Sequence, residues 1–137
     1  MNRRMLKSKI HRATVTGADL DYAGSISLDA TLMAAADIAH HEQVHVLDVD
    51  NGARFETYAI PGEPGQVRVN GAAAHLVAPG HRVLVVTYAD YAEAELGAHQ
   101  PVIVHVDGAN RPLGGTDIPS ATSPRSMPVA PRAGTTG

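Results

Sequence analysis

The segment Asp50-Asn51-Gly52-Ala53 constrains this chain more than any other stretch. Asn-Gly is the dipeptide that supplies two positive-φ residues to a type I′ hairpin turn. It joins two β-prone runs, Val44–Val49 and Arg54–Ile60, so an antiparallel hairpin is expected there. Other strands follow from the same patterning. Met5–Thr16 alternates, which places Lys7, Lys9 and His11 on one face and Ile10, Arg12 and Thr14 on the other. Asp19-Leu20-Asp21-Tyr22 reads as a turn, Ser25–Leu28 as a short strand, and Asp29 as the N-cap of a helix over Ala30–Ala39. Leu28 and Leu32 then form part of a hydrophobic staple.

Further strands are expected at Gln66–Asn70, Arg82–Tyr88 and Val102–Val106. Turns fall at 61–65 and 78–81, and one or two helical turns at 89–97. Many short strands, strong turns and little helix point to a mainly β fold, a small closed barrel. From Gly114 onward the chain is Pro, Gly, Ser, Thr and Ala, with little to bury, and residues 114–137 are expected to be disordered. That leaves residues 1–113 as one domain.

Composition excludes several functions. The net charge of -3 argues against nucleic acid as a partner. No cysteine is present, which removes disulfides, thiolate metal sites and thiol nucleophiles and fits a cytoplasmic setting. No apolar run reaches membrane-spanning length, so no membrane partner is expected. The basic residues Arg3, Arg4, Lys7, Lys9, His11 and Arg12 form either a solvated strand face or a site for a small anion.

His41-Glu42-Gln43-Val44-His45 matches the H-E-x-x-H pattern of zinc hydrolases. The spacing works only on a helix. His45 lies in a β-type run, where residues four apart are separated by roughly 13 Å, whereas zinc ligands lie about 2 Å from their ion. No metal site is expected. His40, His41, His81, His99 and His105 read as ordinary surface or edge residues.

Four segments remain: Met5 to Arg12, Tyr22-Ala23-Gly24-Ser25, Asn51 to Ile60, and Val69-Asn70-Gly71-Ala72-Ala73-Ala74-His75. Each is weak alone. In this order and at these distances, from about Arg3 to Asp107, they resemble the aspartate 1-decarboxylase family. The resemblance implies a double-psi β-barrel, a homotetramer with active sites between neighbouring subunits, and conversion of L-aspartate to β-alanine and CO2 for pantothenate synthesis. It implies a cofactor made from the chain itself. Cleavage between Gly24 and Ser25 leaves chains 1–24 and 25–137, and Ser25 becomes a pyruvoyl group that serves as the electron sink.

The chemistry is a hydroxyl attack on the preceding carbonyl, an N-to-O acyl shift, elimination and hydrolysis. Glycine before the serine offers little bulk and unusual backbone angles. By resemblance, Thr57 and Tyr22 stand near this step and Tyr58 is the proton donor in decarboxylation. Arg54 offers a planar fork for a carboxylate, with Lys9 supporting. Thr57 and the backbone of Gly71, Ala72 and Ala73 contact substrate, while Asn70 orients the pocket. His11 either tunes charge near the cofactor or closes the site wall. Outside the family context Lys9 reads more readily as a solvent-facing strand lysine than as a ligand, and Tyr58 can be a barrel-core tyrosine with a satisfied hydroxyl. A processing-defective relative acting as a subunit or binding module is the competing reading. Two departures from the family pattern stand out: the short 62–66 loop, with proline where arginine is common, and Gly17.

Overall fold

The computed structural model describes residues 1–114; nearly all of the segment expected to be disordered lies outside the described residues. Eight strands run as β1 Asn2–Thr14, β2 Gly17–Asp19, β3 Ser25–Asp29, β4 Gln43–Asp48, β5 Arg54–Gly62, β6 Val67–Asn70, β7 Arg82–Ala92 and β8 Val102–His105. One helix, α1 Ala30–Ala35, and two 3₁₀ turns, Gly71–Leu76 and Glu93–Ala98, complete the fold. The mainly β expectation holds.

The sheet order is β2-β6-β3-β5-β4-β7-β1-β8. Chain continuity joins β2, at one end, to β1, next to the other end. Only Val15 and Thr16 separate β1 from β2, and their amides donate to the carbonyls of His81 and Val67, each at 2.8 Å. The sheet bends back on itself around one core, built from Ile10, Ala13, Val15, Ile26, Leu28, Leu32, Val44, Val46, Val67, Val69, Val83 and Val85 among others. With so few aromatics, β-branched and leucine side chains fill this space.

Three local expectations are corrected. First, β1 does not keep one alternation. Register shifts fall between Leu6 and Ser8 and between Ile10 and Ala13, and Arg12 adopts φ 62°. This bulge moves the buried set from Ser8 and Ile10 to Ala13 and Val15, so Ile10, Arg12 and Thr14 do not share a face. Second, the hairpin is not type I′. Gly52 has φ 79° but Asn51 is not in the positive region. The buried Asp48 carboxylate accepts from the amides of Asp50 and Asn51 at 2.8 and 3.2 Å, and Gly52 donates to the Asp48 carbonyl at 2.9 Å. A side-chain cap thus widens the loop and leaves only glycine left-handed. Third, α1 is six residues long. Asp37 turns left-handed at φ 55°, and the amides of Asp37 and Ile38 close onto the carbonyls of Ala34 and Met33 at 3.2 and 2.9 Å, which buries Ile38 instead of extending the helix.

Asp29 caps α1 as expected and does more. Its Oδ1 accepts from Thr31 and Leu32, and its Oδ2 accepts from the Gly65 amide at 2.7 Å. Burial pushes its carboxyl up, but the amides of Gly65, Thr31 and Leu32 outweigh that and hold it below the ordinary value. The short 62–66 loop is therefore pinned to the end of β3.

Candidate active site

Strand β3 lies between β5 and β6 and is buried along its whole length. Alternation turns Ile26 and Leu28 into the core and sets Ser25, Ser27 and Asp29 on the opposite face. Ser25 is paired with Asn70 across the antiparallel β3–β6 ladder, and Ser27 with Arg68. The fully buried Asn70 amide nitrogen donates to Ser25 Oγ at 3.0 Å and to Ser27 Oγ at 3.1 Å. Ser25 Oγ donates in turn to the Ala23 carbonyl at 3.1 Å. The hydroxyl is held in a directed chain of hydrogen bonds, out of solvent.

Behind this hydroxyl the backbone is crowded. Gly71 has φ 80°, and a Cβ there would lie 2.6 Å from Gly24 Cα and 3.3 Å from the Tyr22 carbonyl. Gly24 itself is not left-handed, and a Cβ on it would meet nothing within 4 Å. The glycine that this close approach requires sterically is therefore Gly71, while Gly24 takes no positive φ. The positive φ and the close approach both exclude an ordinary side chain.

The β3–β5 ladder is parallel, with Ile26 opposite Ala59. Continued one and two residues beyond the paired positions, that register would set Tyr58 beside Ser25 and Thr57 beside Gly24. Tyr58 is 37% exposed, alternating with the buried Ala59, so it is not a core tyrosine. Tyr22 is also exposed, and the Arg68 guanidinium lies 5.2 Å from the centre of its ring. Ala72 is exposed and Ala73 half-buried in the 3₁₀ turn that follows Gly71.

Arg54 and Lys9 sit elsewhere. They line a cavity of about 340 Å³ with Leu6, Leu47, Leu84, Val86 and Tyr88, on the outer face of β1, β4, β5 and β7. Ser25 does not line it. Among the described residues no ion pair reaches Lys9 or Arg54, and burial lowers the Lys9 pKa from its ordinary value. The rest of the N-terminal basic cluster divides. Arg3 pairs with Glu93 at 3.2 Å, Arg4 with Asp90 at 3.0 Å and Lys7 with Glu42 at 2.8 Å, so these three belong to ion-paired strand surface. His11 lies 5.4 Å from the His105 ring. Burial first, then the positive fields of Lys9, His105 and Arg12, lower its pKa to about 4, so it is neutral at physiological pH.

Two of the histidines read as ordinary surface or edge residues have specific surroundings. His105 is buried. His81 Nδ1 lies 2.6 Å from Oδ2 of the buried Asp48, so Asp48 ties the hairpin loop to the 78–81 turn. Asp48, Asp50 and His81 come close enough to hold a cation, but the two carboxylates already accept from backbone amides and His81. His41, in a turn at φ 75°, and His45, on β4, do not form a helical H-E-x-x-H site. Sequence reasoning missed Ser27 and Arg68. The period of two in Ser25-Ile26-Ser27 was the available signal for the first; nothing in the sequence marked the second.

A buried serine hydroxyl at a Gly-Ser junction, on a mainly β scaffold with a separate cationic cavity, defines a small enzyme-like β protein with a divided site. The aspartate decarboxylase family profile matches residues 1–113. The chain is 56% identical over 112 residues to the aspartate 1-decarboxylase of Mycolicibacterium smegmatis, covering 80% of this chain and 82% of that protein. The chain belongs to the aspartate decarboxylase family, and it is a carboxy-lyase.

Proposed function

We propose that this protein decarboxylates L-aspartate to β-alanine and CO2, the step that feeds pantothenate synthesis, after cutting its own chain between Gly24 and Ser25. The observation that carries the reading is the buried Ser25 hydroxyl, held by Asn70 at 3.0 Å beside the close approach of Gly71 to Gly24, in a chain of this family. Such a hydroxyl is held in place next to the Gly24–Ser25 bond and screened from water.

In the first step Ser25 Oγ attacks the Gly24 carbonyl carbon. The peptide C–N bond breaks, an ester C–O bond forms, and the Ser25 nitrogen takes the proton. Thr57, which the continued β3–β5 register would set beside Gly24, is the side chain assigned to the developing oxyanion. Loss of the Ser25 α-proton then expels Gly24 as a carboxylate that carries Oγ away. Water converts the remaining dehydroalanine to a ketone and ammonia. The residues fit a group of this kind: β3 begins at Ser25, and the small residues Gly71, Ala72 and Ala73 directly follow its ladder partner Asn70.

The pyruvoyl group, once formed, supplies an electron sink for the bond to CO2. The side chains do the rest. Arg54 and Lys9, cations without an ion pair among the described residues, bind carboxylate. Backbone groups of Gly71, Ala72 and Ala73 approach the substrate closely. Tyr58, which the same continued register would set beside residue 25, delivers the proton to carbon. Because Arg54 and Lys9 line a cavity that excludes Ser25, the complete site is assigned to the junction of neighbouring subunits in a homotetramer.

Intact-mass measurement tests this reading. Purified protein should give two chains divided before residue 25, the longer one lacking a free amino terminus. Ser25→Ala should stay whole and make no β-alanine. Turnover by that variant would end the proposal.

A further inference from the structure

The Asn70 amide has two N–H groups, and both are used: one on Ser25 Oγ, the other on Ser27 Oγ. Its carbonyl oxygen is buried with no hydrogen-bond partner. An amide can meet a hydroxyl in two ways, with its nitrogen donating or its oxygen accepting. Here two hydroxyl oxygens accept from one nitrogen, and only that orientation leaves Ser25 Oγ–H free to donate to the Ala23 carbonyl, as it does at 3.1 Å. Leaving the carbonyl oxygen bare is unfavourable in a buried position. The second acceptor offsets that cost, and the second acceptor is Ser27.

We infer that Ser27 is a positioning residue for the self-cleavage: through Asn70 it keeps an N–H, rather than a C=O, facing Ser25 Oγ. The inference rests on the proposed cutting at Gly24–Ser25 and specifies how that site is oriented. The orientation matters most in the second half of the reaction. There the Cβ–Oγ bond breaks, and Oγ departs as one oxygen of the new Gly24 carboxylate. An N–H donor at that oxygen stabilises the charge as it develops. A carbonyl turned toward it would repel the same charge. Ser27 touches none of the reacting atoms and acts only by holding the amide. Its side chain shares the face of β3 with Ser25, and it is itself buried.

The test follows full-length protein over time by intact mass, with and without hydroxylamine, which splits an ester but leaves a peptide bond whole. In the wild type the uncut fraction should fall and little of it should be hydroxylamine-labile. Ser27→Ala should slow maturation about tenfold, the effect of one lost hydrogen bond at a charged group. The full-length chain that persists should be enriched in the labile ester. Ser27→Thr, which restores a hydroxyl on a strand-compatible side chain, should return the rate and remove the ester. Ser27→Cys keeps the volume with a poor acceptor and should behave like Ala; it carries the test if the alanine variant does not fold. Wild-type rates in both Ala and Cys variants, or slow maturation without ester enrichment, would overturn the role of Ser27 while leaving the cleavage standing. A wild-type chain that never divides before Ser25 would instead remove the cleavage reading itself.

Discussion

The Gly24–Ser25 corner and the Arg54–Lys9 cavity are built on opposite principles. The corner is finished within one chain: its hydroxyl is buried, its donors are directed, and Gly71 is wedged against Gly24 with no room for a methyl group. The cavity is open: its cations are not ion-paired among the described residues, and its walls are apolar side chains on an outer sheet face. The proposed cut between Gly24 and Ser25 draws on groups of one chain. Capturing a doubly charged small molecule needs cations held apart from acids, and here those cations lie away from the serine. The two regions should therefore fail separately when mutated.

The largest effect is expected at the wedge. Gly71→Ala puts a side chain at φ 80° and 2.6 Å from Gly24 Cα, so cutting should slow on the order of 100-fold. Gly24→Ala, with open space for its Cβ, should slow it less. Timed mass spectra of the two variants decide the order, and the reverse order would break the assignment of the constraint to Gly71. Next comes the cavity. Arg54→Gln should cut normally yet lose roughly 10- to 100-fold in kcat/KM, read by β-alanine release from fully cleaved protein. A defect in cutting instead would join the two regions that the structure separates.

Smaller effects sharpen the comparison. Asp29→Ala removes the α1 cap and the anchor of Gly65, and should cost roughly 2 kcal/mol in denaturant unfolding while the serine at the other end of β3 still matures. The least effect concerns His11. Its folded pKa, about 4, lies below the ordinary 6.5, so the unfolded chain binds the proton first as pH falls. Its contribution to stability is full above the unfolded pKa, is lost as pH drops from 6.5 toward 4, and is constant below. Melting temperatures of His11→Gln should be less pH-dependent across that window.

Much of this was legible in the sequence, for physical reasons that differ by residue. The hairpin position, the Asp29 cap and most strands follow from local chemistry, and local chemistry is what a sequence writes directly. The turn type was not legible, because Asp48 reaches over its own loop and removes the need for a left-handed Asn51. The face of Arg12 was not legible either, since a bulge is decided by the partner strand β7. The family pattern proposes the site residues as a set, but their grouping depends on register. Only the β3–β6 ladder shows Asn70 arriving beside Ser25 and only the β3–β5 ladder sets Ala59, the residue after Tyr58, opposite Ile26, and only the cavity on the outer face shows Arg54 and Lys9 standing apart.

The segment ahead of Ser25 contains β1, a thirteen-residue strand paired with both β7 and β8, and it contributes Ile10, Ala13 and Val15 to the core. A cut at residue 24 would thus leave two polypeptides clasped as firmly as one. Once melted, they would have to find each other again by diffusion. Folding would then depend on concentration, and the protein could assemble easily only once, while still in a single piece.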